Sequence, residues 1–176
     1  LLDRFLEGAK IGGAEIEKLV VTDLDLSGCA GCDACAEAGE CVRNDDFAVV
    51  NQKLIAADVI ALAAPLYFLH LPAQTKALVD RTQSLWRRKA TTDEPLASTA
   101  AGRDRRRGVF LCVGGSPHPD FHGVVKTTQV FFEMYEAEYW ADLRYVSVDE
   151  KGAIREHPTA MKDAYDLGRK AATREK

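Results

Sequence analysis

Long hydrophobic runs are scarce in this 176-residue chain, and the scarcity sets the first boundary on what it can be. The longest apolar stretch, Val59 to Leu69, covers eleven residues and contains Pro65. That is well short of the roughly 20 residues a membrane-spanning helix needs. An excess of basic charge is missing too. With 23 Lys and Arg against 27 Asp and Glu, the net charge is −4, which argues against a general nucleic-acid or anionic-membrane binder. Compositional bias is also lacking, since 47% hydrophobic and 28% charged residues are globular proportions. A chain this long buries well over half of its unfolded surface and needs no disulfide staples. The opening residues read as an amphipathic helix rather than a basic head followed by an apolar run, so the expectation is a cytoplasmic protein. A single domain over residues 1–176 is expected, with a cysteine-rich loop at 28–44.

Cysteine is not scarce, and its placement is uneven. Of five cysteines, Cys29, Cys32, Cys35 and Cys41 lie within thirteen positions, while Cys112 sits alone in the apolar run Val109 to Val113. The four form a C-x2-C-x2-C-x5-C run. A cubane iron–sulfur cluster needs one thiolate per iron, all converging on one small object. Two-residue spacers let successive turns of a loop present three thiolates, and the five-residue return lets Cys41 supply the fourth. Gly28 and Gly31 keep side chains away and permit the φ values such wrapping requires. Structural zinc also takes four thiolates, but more often as two separated C-x2-C pairs. A set of unligated thiols is the third reading. Cys112 reads as core packing.

Hydrophobic periodicity gives an alternating plan. Leu2, Phe5, Leu6 and Ala9 fall on one helical stripe that ends at Gly12 and Gly13. A short strand is predicted over 16–22, followed by the cysteine loop. Asp45 or Asp46 caps a helix with Phe47, Val50 and Leu54 on its apolar face. Val59 to Ala64 reads as a central parallel strand covered on both faces. Pro72 opens a helix running to about Trp86, and residues 89–108 read as a long polar loop. Val109 to Val113 is a second buried strand, closed by Gly114, Gly115 and Ser116. The next helix carries Val124, Thr128, Phe131 and Tyr135 on one stripe. Leu143 to Val148 reads as an edge-like strand. A last helix starts near Pro158 and buries Ala160, Met161, Ala164, Tyr165 and Gly168.

Strands alternating with helices imply a doubly wound parallel sheet. Such a sheet normally opens with a strand, which in the five-stranded order 2-1-3-4-5 lies inside the sheet. Here the chain opens with a helix and only four strands are predicted. The expectation is therefore that a first, interior strand precedes Leu1.

Two segments resemble a known family. One is Leu24 to Cys35 with Gly39 to Asp46; the other is Ala57 to Phe68 running on to Lys76, Asp80, Arg81 and Thr82. They are similar to the flavodoxin-like NADPH-dependent FMN reductases, and the full cysteine set resembles their iron–sulfur flavoprotein branch. The resemblance implies a flavodoxin-like α/β fold whose first strand and phosphate-holding loop would lie upstream of Leu1. Phosphate recognition is accordingly assigned to no residue here. It also implies that Pro65, Leu66, Tyr67, Phe68 and Leu69 contact FMN, with Gly114, Gly115 and Ser116 as the second flavin loop. Family members often carry Gly after the aromatic pair, where this chain has Leu69 and His70. On the residues alone, Tyr67 and Phe68 read instead as plugs of a helix–sheet junction.

The implied activity is that of a flavin-dependent oxidoreductase holding FMN and a 4Fe-4S cluster at Cys29, Cys32, Cys35 and Cys41. Its donor would be ferredoxin or NAD(P)H, its acceptor a small-molecule oxidant, and its assembly a homo-oligomer. An NAD(P)H-dependent FMN or quinone reductase with vestigial cysteines is an alternative. Outside enzymes, an electron carrier or a zinc-stapled interaction module fits. Two further features read as quiet. His118 and His122 are four apart but separated by Pro119, which disfavours a helical metal pair. Between Arg81 and Arg107 stand eight Lys/Arg and three Asp/Glu, a solvated loop by default and otherwise a dock for an acidic redox partner or the NADPH phosphate.

Overall fold

The structure is a computed structural model that describes residues 1–92, 96 and 106–173. Its elements run α1 (Leu2–Ile11), α2 (Cys35–Ala38), α3 (Phe47–Ala56), β1 (Val59–Pro65), α4 (Ala73–Arg81), α5 (Gln83–Thr91), β2 (Arg106–Val113), α6 (His122–Met134), β3 (Ala137–Tyr145) and α7 (Ala160–Thr173). Short 3-10 turns cover Val21–Asp23 and Ala153–Glu156. Among the described residues, three parallel strands form one sheet in the order β1-β2-β3. Most of the predicted loop at 89–108, with most of its charges, lies outside the described residues. Its flanks belong to α5 and β2. No described helix is long and apolar enough to cross a membrane.

Both faces of the sheet are covered, as continuous apolar strands require. On one face Ile60, Leu62, Phe110 and Cys112 pack with Phe47 and Val50 of α3, Leu78 of α4 and Phe131 of α6. On the other, Val109 and Leu111 meet Phe5 of α1 and Ala164 and Ala171 of α7. The stripe read along α6 is buried as expected, at Val124, Thr128 and Phe131. Together these layers make a doubly wound flavodoxin-like α/β fold.

Three predicted boundaries need correction. The segment 16–22 is not a strand but an irregular stretch leading into the 3-10 turn at Val21–Asp23. A strand's backbone groups need a neighbouring strand to bond, and no described strand lies beside this one. Between it and β1 runs a groove of about 690 Å³, with Val59 to Ala63 on one wall and Ile16 and Leu19 opposite. The last strand begins at Ala137, six positions earlier than the predicted Leu143, and ends at Tyr145. Pairing with β2 decides this, since Arg106 opposes Ala137 and Val113 opposes Tyr145, with a bulge beside Gly108 absorbing one residue. Finally, the helix predicted from Pro72 to Trp86 is two helices, α4 and α5, which meet at Thr82.

Helices α1 and α7 cross with almost no side chain between them. A Cβ on Gly8 would lie 2.0 Å from the Tyr165 carbonyl oxygen, and one on Gly168 would lie 1.9 Å from that of Phe5. Each helix offers a glycine to the other's backbone. Gly168→Ala should therefore destabilise the protein by about 1–3 kcal/mol, because neither backbone can retreat without opening the Phe5 core. Urea denaturation measures this, and an unchanged midpoint would show that the crossing tolerates a methyl group.

Candidate functional site

The carboxyl ends of β1 and β2 bring the two glycine- and aromatic-bearing loops side by side. The Leu66 amide donates to the Val113 carbonyl at 2.8 Å, and a Cβ on Gly114 would touch the Leu66 side chain at 3.6 Å. Gly114 donates to the Tyr145 carbonyl and accepts from Val148, which fixes its loop to the end of β3. At Gly115 a Cβ would lie 2.6 Å from the Asp149 carboxylate, which would have to swing aside for any larger residue. Pro65, Leu66, Gly114, Gly115 and Ser116 thus share one rim.

Beyond Leu66 the chain reverses in a tight two-residue turn. Tyr67 and His70 exchange both backbone hydrogen bonds at 2.9 Å, while Phe68 (φ 48°) and Leu69 (φ 63°) form the tip. Two consecutive positive φ values are the mark of a type I′ turn, which favours Gly and Asn. Side chains with a Cβ cost about 1–2 kcal/mol each in this conformation. The turn holds Phe68 wholly in solvent, at 103% of its reference exposure, with Tyr67 at 59% and Leu69 at 53%. The junction-plug reading of the two aromatics is therefore overturned. The turn's base is tethered to α6 by the His70 Nε2 to Thr127 Oγ1 hydrogen bond of 3.0 Å.

The cysteine loop sits at the other end of α4. Its neck is closed twice. Asp25 and Asp46 bond each other, through the Asp25 amide to the Asp46 carboxylate (2.7 Å) and the Asp46 amide to the Asp25 carbonyl (3.0 Å). Arg81, the last residue of α4, then bridges both sides. Its guanidinium donates to the Ser27 carbonyl at 2.9 Å and to both Asp45 carboxylate oxygens at 2.5 and 3.0 Å, and it stacks on the Phe47 ring. This ion pair is buried, with side-chain exposures of 0% for Arg81 and 8% for Asp45. Asp45 also accepts from the Phe47 amide, so it caps α3, whereas Asp46 does not use its side chain there.

Inside the neck, Cys29, Cys32, Cys35 and Cys41 line one pocket of about 490 Å³, together with Arg81, Ser84 and Arg87. Gly31 (φ 65°) turns the loop between the first two cysteines, and Gly39 (φ 72°) ends the one-turn helix α2 before Cys41. Gly28 has no positive φ, so the conformational freedom expected of it is not used. Burial raises the Cys35 pKa, with the Asp33 carboxylate adding to the effect. The same arrangement tests the donor set. Among the described residues, no three His, Cys, Asp or Glu side chains converge closely enough for a single ion. Tetrahedral zinc with 2.3 Å bonds would need its sulfurs about 3.8 Å apart. The four cysteines thus share one concavity without converging on a point, and thiolates are the donors that zinc and an iron–sulfur cluster both take. Cys112 stands apart. It is buried in β2, and burial pushes its pKa up to about 12, as expected of a packing thiol.

The family model of the NADPH-dependent FMN reductases matches residues 1–138. An iron–sulfur flavoprotein of Methanosarcina thermophila is 36% identical over 104 residues, 58% of this chain and 54% of the relative. Another from Archaeoglobus fulgidus is 35% identical over 81 residues, 46% of this chain and 37% of the relative. The chain thus spans about half or less of the length of these two relatives. An FMN-dependent NADH-azoreductase from Bacillus anthracis shares the fold, with a TM-score of 0.60 at 16% identity over 98% of this chain and 88% of that structure.

Sequence reasoning missed Arg81 and Asp45 as partners. Their 36-residue separation hides the pairing, and an Asp-Arg-Thr helix end gives no local sign of where the guanidinium points. The Arg81 hydrogen bond holds the Asp45 carboxyl below the ordinary carboxylate range, against the opposing effect of burial. A folded pKa below the unfolded one means that its contribution is complete above about pH 3.9 and is lost as pH falls through the depressed value. Asp45→Asn leaves a buried guanidinium without its counter-charge and should cost about 3 kcal/mol near neutrality. The loss should shrink in acid, where the native Asp45 carboxylate is itself protonated. Urea unfolding at both pH values checks this, and an equal loss at each would refute the linkage.

Proposed function

Because this chain belongs to the NADPH-dependent FMN reductase family, we propose that it is a flavin-dependent oxidoreductase, an iron–sulfur flavoprotein whose cysteine loop holds a 4Fe-4S cluster. The observation that carries this reading is the gathering of Cys29, Cys32, Cys35 and Cys41 around one pocket at the end of α4. When bound, FMN exchanges one or two electrons and the cluster exchanges one, and the cofactors supply the chemistry.

The chain's own residues bind and orient. The exposed faces of Tyr67 and Phe68 offer aromatic surface to a flat ring just past the carboxyl end of β1, where ligands of open α/β sheets bind. The Tyr67–His70 pairing leaves the amides of Phe68 and Leu69 outside the backbone ladder, free to meet ring oxygens and nitrogen. Gly114, Gly115 and Ser116 form the adjoining wall. The nine residues of α4 join this turn to the cysteine pocket over about 13 Å, at 1.5 Å per residue. The electron donor in this reading is ferredoxin or NAD(P)H, the acceptor a small-molecule oxidant, and the setting a cytoplasmic homo-oligomer. Residues 1–176 act as one FMN-binding domain.

Anaerobic reconstitution of the full chain followed by iron, sulfide and flavin analysis tests the proposal. Wild type should gain iron, acid-labile sulfide and FMN. Cys35→Ala should lose iron and sulfide, or retain a three-iron species, while FMN stays bound. Cys112→Ala should keep its iron. Iron at the Cys35→Ala level in wild type would end the cluster assignment and leave an NAD(P)H-dependent flavin or quinone reductase, or an FMN electron carrier. Zinc without sulfide would instead mark a stapled interaction module. Phe68→Ala tests the flavin turn separately. Loss of its ring contact should cost about 1–3 kcal/mol, or roughly 5–150-fold in FMN affinity, with little change in stability because the ring is exposed. Unchanged FMN affinity would remove Phe68 from the site.

A further inference from the structure

The cysteine pocket is lined by two arginines, and each carries one buried N–H for which the described residues offer no acceptor. These are Nε of Arg81 and Nε of Arg87. The other guanidinium nitrogens are engaged. Arg81 uses its two terminal nitrogens on Asp45 and the Ser27 carbonyl, and a terminal nitrogen of Arg87 bonds the Asp33 carboxylate at 2.5 Å. Both side chains are thus pinned by their ends, with the remaining donor turned away from solvent. A guanidinium always carries its charge and has no acceptor of its own, so a buried Nε–H can be satisfied only by something else on that wall.

The wall itself supplies sulfur. Cys29, Cys32, Cys35 and Cys41 line the same pocket as Arg81 and Arg87. Thiolate and sulfide sulfurs accept hydrogen bonds, and donors to them favour the more negative, reduced state of an iron–sulfur centre.

We propose, on the reading that this loop holds a cluster, that Arg81 and Arg87 are its tuning residues. Their buried Nε–H groups donate to sulfurs of the cluster and its thiolates and raise the cluster's reduction potential. Their role is directed inward, not at docking an acidic partner.

The experiment is a redox titration of the anaerobically reconstituted full chain, monitored by electron paramagnetic resonance, beside its iron and sulfide content. Arg87→Met keeps the aliphatic stem and removes the donor. It should load iron and sulfide as wild type does, yet be about three- to tenfold harder to reduce, the latter a fall of about 59 mV for a one-electron couple. Arg87→Lys, which restores a charge without the Nε–H, should recover only part of this. The double variant Asp33→Asn/Arg87→Met should retain the fall, and its return to the wild-type value would assign the effect to the freed Asp33 charge and overturn the proposal. Arg88→Met, on the same helix but outside the pocket wall, should leave the potential alone. Arg81→Lys should shift the potential in the same direction, and if it does not fold, the Arg87 set decides the matter. A loaded Arg87→Met protein with a potential within about twofold of wild type in reduction equilibrium overturns the tuning role and leaves the cluster reading intact. Wild type that takes up no iron and sulfide overturns the cluster reading and the tuning role with it.

Discussion

The buried pair between Arg81 and Asp45 is the interaction on which the rest of the site depends. A loop at 28–44 rich in small residues and thiols has little apolar surface with which to hold a shape. Arg81 substitutes for that missing core. One guanidinium fixes the Ser27 carbonyl at the loop's entrance, the Asp45 carboxylate at its exit and the Phe47 ring at the start of α3. Such a pair is costly to bury and pays back only when its geometry is complete, as bidentate Arg–carboxylate contacts are. Its value lies less in net stability than in specifying one closure of the neck. The Asp25–Asp46 bonds reinforce that closure but involve more exposed groups and cannot replace it.

Helix α4 turns this local device into a relation between two places. Its first residues follow the exposed Tyr67–His70 turn, and its last residue is Arg81. Leu78 on its inner face is buried in the sheet's core, so the helix cannot slide. The turn is placed by β1 and tethered by His70 to α6, and the cysteine pocket is placed by the other end of the same helix. Movement at one end would have to pass through a packed helix to reach the other. Rigid connection of this kind lets strained backbone persist at the Phe68–Leu69 tip, because the surroundings over-determine it.

What the sequence made legible follows from how local each signal is. The apolar run of β1, the stripe of α6 and the cysteine spacing are each visible within a short window, and each is found where it was expected. Features that depend on distant partners were not legible. The boundaries of β3 are set by its register with β2, and the irregularity of 16–22 by which strands lie beside it. Phe68 and Leu69 looked like ordinary apolar residues, because hydrophobicity carries no information about the sign of φ. Their exposure follows from a turn whose geometry they do not themselves favour. The Arg81–Asp45 pair was invisible for the opposite reason, since both residue types suggest surface and neither is on it.

The basic run from Arg81 to Arg107 shows the same lesson in electrostatic form. As a string it carries a net +5 and suggests a solvated face or a docking patch. In the fold, four of its eight cations are committed internally. Arg81 closes the loop and Arg87 pairs with Asp33 beside the cysteines. Arg106 donates to the Tyr135 carbonyl, and Arg107 lies over Trp140 while donating to the Lys170 carbonyl. A charge that is desolvated and paired contributes little to a long-range field, which is screened within about 10 Å in any case. Two of these cations instead stand beside four thiols that must lose their protons to bind metal. Positive charge fixed at that wall offsets the thiolates at the point where they form. On the proposed cluster reading, Arg81 and Arg87 stand where negative charge develops inside the loop, because the end of α4 and the start of α5 form one side of the pocket.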